Sequence, residues 1–384
     1  MTPQHHKDRV IIIGGGIQGC AAAYFLAKRG QTVTLLEKDN IARHASGVNA
    51  GGVRRLGRDL AEIPLSLAAM DIWNHLSDEI GDAAMAFHPS FYVKVAIDEP
   101  GHIAGMARAE ALQQAGFQHE VWLDETEIRK RIPCLARNIS AKNMAGGEIS
   151  GGLVVEGDGW AIPWRIVRGF ADAAVRNGAT ITEHCHVESL KRQNNMWQIH
   201  TNAGDFEADI VVNCAGAWAA DLARQSGEPD LPLTAYAPML AVTERRPQIL
   251  NAVMGILGHT LSLKQLDTGQ FVIGGGVRAD ADIHQNEAGL SIPELATSMY
   301  RAAQLFPDIA HAKIIRCWSG IEGYMPDNLP VIGRGNQDGL VHGFGFSAHG
   351  FQLGPAVGEA LADLVMGQQP RTSLAAFSPQ RFSA

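Results

Sequence analysis

Cysteine is scarce in this 384-residue chain and follows no pattern. The 5 cysteines, Cys20, Cys134, Cys185, Cys214 and Cys317, never form a C-x-x-C pair. Neither a zinc site nor a disulfide framework is suggested, and no metal is expected. Such usage fits a reducing cytoplasm, the expected compartment. Positive charge is in deficit: 32 Lys and Arg stand against 40 Asp and Glu, a formal net charge of -8. That balance argues against nucleic acid or an anionic membrane as a partner. Long apolar runs are missing too, with one exception, so no membrane span is expected. No internal repeat or low-complexity tract stands out. What remains, 46% apolar and 19% charged residues, describes an ordinary globular chain of a length that favours two domains.

The exception is VIIIGGGIQGCAAAYFLA, Val10 to Ala27, uncharged and preceded by the polar HHKDR. It imitates an export signal, with a basic start, an apolar middle and small residues. Its glycines point elsewhere. Gly14, Gly16 and Gly19 have the spacing G-x-G-x-x-G after a β-branched run, Val10 to Ile13, and before a helix expected over 17–29 that stops at Gly30. A second strand, Thr32 to Leu36, ends in Glu37. In such a unit Gly14 permits the turn, Gly16 lets the backbone approach a pyrophosphate, and Gly19 lets helix and strand pack closely. The helix start offers free N–H groups to phosphate, and Glu37 offers its carboxylate to ribose hydroxyls.

Further along, RHASGVNAGGVRRLGRD, Arg43 to Asp59, is a loop able to crowd backbone N–H groups around an anion or a ring. Helical periodicity follows over 63–76. PSFYVKVAI is expected as a strand and GHIAGMARAEALQQAG as a helix closing on Gly116. Asp124 or Thr126 starts the next helix, and Pro163 to Gly178 forms an amphipathic one. ATITEHCHVESL and MWQIHT are expected strands. The second glycine triplet, Gly274 to Gly276, follows a hairpin turning at Asp267-Thr268-Gly269, so it is expected in sheet. Near the end, GFGFSAHGFQLG crowds Gly345, Ser347, His349 and Gly350 at a helix start, where unpaired N–H groups present a positive potential.

Four stretches together resemble the FAD-dependent amino-acid and amine oxidases, the family of D-amino-acid, glycine and sarcosine oxidases. They are IIIGGGIQG with Glu37, ASGVNAGGVR, VVNCAGAWA, and CWSGIEGYMPDNLPVIG with GFGFSAHGFQLGPAVGEALADL, spread over residues 11–364. The resemblance is closest to sarcosine-oxidase-β-like and opine-oxidase-β-like subunits. It implies an α/β fold: an interrupted Rossmann-like FAD domain (1–85, 147–222 and 317–384) with an inserted mixed-sheet substrate domain (86–146 and 223–316). It implies FAD, held without a covalent bond. Gly14, Gly16, Ile17, Gln18 and Gly19 would take the pyrophosphate, with Glu37 and Lys38 at the ribose. Arg43, Ser46, Asn49, Ala50, Gly51 and Gly52 would line the pyrophosphate and flavin edge, and Val187 the adenine. Ala215, Gly216, Trp218, Gly320, Gly345, Ser347, Ala348, His349, Gly350, Phe351 and Gln352 complete the expected cradle.

The activity implied is oxidation of a C–N bond of an amino acid or secondary amine to an imine that water hydrolyses. Electrons would go to O2 or to a partner subunit in a hetero-oligomer. His349, Glu322, Tyr324, Arg54 and Lys264 are the candidate catalytic residues, although a solvated strand lysine is the ordinary reading of Lys264. Two cations customary in such relatives are replaced, an arginine by Glu322 and a lysine by Gln352. Arg54, Arg55, Arg58 and Arg278 remain as candidates for a substrate carboxylate. Glu322 with Tyr324 suits a cationic or secondary amine, so an opine, a hydroxyproline or another N-substituted amino acid is favoured. A glycine or D-amino-acid oxidase is an alternative, as is a flavin-binding subunit serving assembly or tRNA modification. Cys317 stands near where some relatives attach flavin covalently.

Overall fold

Strand Arg9–Ile13 shows how the sequence builds the first layer of the computed structural model, which describes residues 9–136 and 148–382. Side chains alternate across a strand, so the run can feed two cores at once. Val10 and Ile12 pack with a helical layer, while Ile11 and Ile13 pack with a small sheet on the other face. The strand is central in a six-stranded sheet ordered Val331–Arg334, Leu340–Phe344, Ile210–Asn213, Arg9–Ile13, Thr32–Leu36, Thr180–Thr182. All its pairs are parallel except the first two strands, which form an antiparallel edge. Helices Ile17–Lys28, Ile63–Asn74, Pro163–Arg176 and Gly350–Val365 cover one face. The three-stranded meander Val187–Gln193, Met196–Thr201, Gly204–Ala208 covers the other through Leu190, Trp197 and Ile199.

The α/β class is thus the one expected, with one strand redrawn. ATITEHCHVESL is two strands in two sheets, Thr180–Thr182 and Val187–Gln193. His184 at φ 57° turns the chain between them, and the amides of His184 and Cys185 donate to the carbonyls of Asp39 and Glu37. Asp124 caps the helix Glu125–Arg131 by accepting from the Glu127 amide, which settles the choice with Thr126.

A larger mixed sheet runs in the order Ile314–Ser319, Thr234–Arg245, Gln270–Asp282, His259–Gln265, Val253–Ile256, Phe87–Ala96, Gly151–Ala161, Gly52–Val53. The second glycine triplet lies inside Gln270–Asp282, in sheet as expected. Three pieces placed on the nucleotide side by the sequence belong to this sheet instead: Gly52–Val53, Gly151–Ala161 and the stretch from Cys317 to Tyr324. They are the seam between the two sheets, because Gly151–Ala161 and the stretch from Cys317 to Tyr324 pair with strands of the inserted part and Gly52–Val53 pairs with Gly151–Ala161. The expected boundary at 146–147, and residues 1–8 with most of HHKDR, lie outside the described residues.

Candidate active site

One cavity of about 1440 Å³ runs from the G-x-G-x-x-G turn to the face of the large sheet. Ordinary small-molecule pockets hold about 300–1,000 Å³, so this one has room for a dinucleotide and a substrate together. At its nucleotide end Gly14 has φ +112°, and a Cβ there would stand 2.2 Å from the Cys214 carbonyl oxygen. A Cβ at Gly16 would meet only the Ser46 hydroxyl, at 2.9 Å. The cradle is therefore one that side chains would fill.

Glu37 is buried, and both carboxylate oxygens are engaged: Oε2 accepts from the Gly15 amide at 2.6 Å, Oε1 from the Asp39 amide at 2.8 Å. It shapes the turn while lining the cavity. Burial raises its carboxyl above the ordinary range. The expectation of free N–H groups along the helix start is corrected at one place, since the Ile17 amide donates to Ser46 Oγ at 3.0 Å. Beyond Glu37, Lys38 lies over the Trp218 ring at 4.1 Å and reaches Asn286, and Trp218 Nε1 donates to the Ile283 carbonyl. A turn of the inserted part thus closes over the nucleotide end.

Most expected site residues line this cavity: Gly14, Gly16, Gln18, Glu37, Lys38, Arg43, Ser46, Asn49, Ala50, Gly52, Val187, Ala215, Gly216, Trp218, Gly320, Gly345, Ala348, His349, Gly350, Phe351 and Gln352, with Glu322, Tyr324 and Arg54. Five stand behind its wall. Ile17 packs under Gly354, and Gly19 lies against the Gly14 carbonyl. Gly51 faces the Ala161 carbonyl, and the Ser347 hydroxyl is spent on the Met325 amide and the Gly345 carbonyl. Lys264, the fifth, is neither solvated nor paired among the described residues: its Nζ lies over the Trp160 ring at 4.5 Å, and burial pushes it down to about 7. Gln352 lines the wall but its amide is tied to Arg58 and Ser66. Arg55 is removed from the carboxylate candidates by its pairing with Asp158 at 2.7 Å. Arg54, Arg58 and Arg278 remain in the wall.

At the sheet end His349 Nδ1 is 2.9 Å from Oε2 of the fully buried Glu62. Burial, with the Arg58 and Arg54 charges, pushes the imidazole down to about 4 despite Glu62, so the ring is neutral at pH 7. Glu322 Oε1 accepts from the Ala348 amide at 2.9 Å, and burial pushes its carboxyl up to about 7. Tyr324 lies beside it, and Arg278 sits over the rings of Tyr236 and Tyr324 at 3.8 and 4.9 Å.

The family model described as DAO, FAD dependent oxidoreductase, matches residues 9–364. The chain belongs to that family. Its cofactor is FAD, and it is an amine or amino-acid oxidase or dehydrogenase. Among its relatives, glycine oxidase of Geobacillus kaustophilus (strain HTA426) is 26% identical over 98% of this chain and 97% of the relative. Sarcosine oxidase subunit beta of Rhizobium meliloti (strain 1021) is 26% identical over 99% of this chain and 89% of the relative. The crystal structure of L-proline dehydrogenase from P. horikoshii superposes with a TM-score of 0.87 at 26% identity, covering 98% of both chains.

Within this DAO-family member the sequence pattern alone missed Lys94, Tyr92 and Glu62. Tyr92 and Lys94 line the cavity while Val93 and Val95 face the core, so the strand alternates as Phe87–Ala96 should. A lysine in step with a tyrosine inside FYVKVAI was the available signal. Glu62 carried none, because its partner His349 is distant in sequence.

Proposed function

We propose that the chain oxidises the C–N bond of an N-substituted or cyclic amino acid to an imine that water hydrolyses. FAD, when bound, supplies the acceptor for the hydride leaving the carbon beside nitrogen. The reading rests on Glu322, a carboxyl set near neutrality in the cavity wall at a place where the family resemblance implies an arginine. A carboxylate tuned to about 7 is suited to take the proton from a bound ammonium, leaving the neutral amine whose C–H bond can be broken. The positive charges of Arg54 and Lys94 in the same wall favour that neutral form. His349, steadied by Glu62, and Tyr324 hold the substrate against the helix start at Gly350.

The nucleotide segments 1–85, 147–222 and 317–384 and the inserted segments 86–146 and 223–316 act as two units in this reading, joined at the seam strands. FAD is held without a covalent bond: Cys317 packs beside Met239 and Val277 and is not among the residues lining the cavity. Likeness to a sarcosine oxidase beta subunit supports a partner that accepts electrons, with O2 as the other acceptor.

The test is a substrate screen of the purified flavoprotein with O2 and with an artificial acceptor. N-substituted amino acids larger than sarcosine, or cyclic ones, should turn over fastest, with kcat/KM rising with pH through about 7 as Glu322 ionises. Glu322→Gln should remove that limb and lower kcat roughly 10²- to 10⁴-fold. Glycine, D-alanine or sarcosine emerging as the best substrate would refute the specificity, and an unchanged pH profile in Glu322→Gln would refute the role.

A further inference from the structure

The cavity wall holds more positive charge than one substrate carboxylate needs, in two separate places. Lys94 comes from strand Phe87–Ala96, and Arg54 from the turn after Gly52–Val53. Their charged ends both lie beside Gly57: a Cβ built there would lie 3.4 Å from Lys94 Nζ and 3.8 Å from Arg54 Nη1, which also donates to the Leu56 carbonyl. The acids nearby are already engaged. Glu120 is bound by Arg108 at 2.8 Å and by the Gly57 amide. Asp158 is bound by Arg55, and Glu62 by His349 and Arg58. Among the described residues no carboxylate lies within 4 Å of Lys94 or Arg54, and Lys94 has no hydrogen-bond partner. Two half-buried like charges repel unless an anion joins them, and the repulsion from Arg54 adds to burial in lowering Lys94 to about 8.

The second place is Arg278, stacked on Tyr236 and Tyr324 and also without a carboxylate within 4 Å among the described residues. Its strand, Gln270–Asp282, is separated from Phe87–Ala96 by His259–Gln265 and Val253–Ile256. Three strand spacings are about 14 Å. Moreover, Tyr236 and Tyr324 hold the guanidinium on the side away from Lys94, since their strands pair beyond Gln270–Asp282. One carboxylate cannot serve both stations.

We propose that Lys94 and Arg54 form a subsite for a second carboxylate of the substrate, which is therefore a secondary amine carrying a carboxylate on each arm. The α-carboxylate is then left to Arg278. This rests on the C–N oxidation proposed above. In the step, Glu322 takes the ammonium proton, the α C–H bond breaks with its electron pair accepted as hydride by FAD when bound, and the nitrogen lone pair forms C=N, which leaves a protonated imine. Water then splits the imine into a primary amino acid and an oxo acid, and O2 or an artificial acceptor reoxidises the flavin.

The experiment compares wild type, Lys94→Met and Lys94→Arg as holoenzymes. One readout is kcat/KM for an iminodicarboxylate relative to the matching N-alkyl amino acid. The other is the flavin absorbance change on titration with glutarate and with butyrate, which needs no turnover. Wild type should favour the dicarboxylates, and Lys94→Met should cut that preference about tenfold or more, through KM rather than kcat. Lys94→Arg should retain most of it. Equal preference in wild type and Lys94→Met, in a protein that binds FAD fully, overturns the subsite. If no secondary amine is oxidised yet glutarate binding still depends on Lys94, the function proposal has failed and the anion subsite stands.

Discussion

Glycines of one motif differ in what they protect. At Gly14 an added Cβ meets backbone, the Cys214 carbonyl at 2.2 Å, in a conformation of positive φ. At Gly19 it meets the Gly14 carbonyl at 2.0 Å. At Gly16 it meets only a serine hydroxyl, which can rotate away. Gly14→Ala and Gly19→Ala should therefore yield little folded protein, whereas Gly16→Ala should fold and retain less FAD. Soluble yield and flavin-to-protein absorbance ratio measure the two effects, and a flavin-replete Gly14→Ala would contradict the packing argument. Glu37→Ala belongs between these extremes. It strands the amides of Gly15 and Asp39, at about 1–3 kcal/mol for each buried donor left unpaired. The ribose role expected from the sequence is thus shared with a structural one.

A lysine in a strand is ordinarily solvated, and Lys264 shows how the element overrides that expectation. Strand His259–Gln265 is paired on both sides, with Val253–Ile256 and Gln270–Asp282, so its side chains have only the two sheet faces to choose from. The Lys264 chain turns toward Gly51 and Trp160, where no side chain on the glycine blocks it. A lone buried cation beside the glycine loop is suited to stabilise negative charge arising when oxygen is reduced. Lys264→Met should slow flavin reoxidation by O2 roughly 10²-fold, with little change in flavin reduction by the amine. Stopped-flow measurement of the two half-reactions separates them, and an unaltered oxygen step would leave the lysine a packing role. Elements of this kind mark the limit of legibility. Strands Arg9–Ile13 and Thr32–Leu36 and helix Ile17–Lys28 were readable because period, glycine and cap signals agree. The break at His184 was not, because it is fixed by carbonyls of residues 37 and 39, far away in the chain. For the same reason Lys94 and Glu62 acquired meaning only through neighbours remote in sequence, Arg54 beside the one and His349 beside the other.

On the scale of the whole molecule, the two sheets meet at strands that serve both, and the burial required there leaves titratable groups out of water. His342 lies in Leu340–Phe344, a strand paired on both sides, with no exposed surface; its Nε2 has no hydrogen-bond partner among the described residues. Burial pushes its imidazole from 6.5 down to about 4. Between those values the unfolded chain binds the proton and the folded chain does not. This histidine's contribution is therefore complete above 6.5 and is lost as pH falls toward 4. Glu322 acts in the opposite sense: its folded pKa of about 7 exceeds the ordinary 4.5, so its contribution declines as pH rises between them. The two slopes offset each other in the overall profile, and only a comparison with a variant isolates the histidine. His342→Gln stays neutral throughout, so the stability of wild type relative to it should fall by roughly 2 kcal/mol between pH 7 and pH 5. Urea unfolding of both proteins at the two pH values measures the difference. A gap that does not change with pH would mean that the folded imidazole titrates as it does in the unfolded chain, whereas a gap that moves in favour of wild type as pH falls would mean that it is protonated in the folded chain with Glu228, whose Oε1 lies close to Gly335 as His342 Nε2 does, as its ion-pair partner.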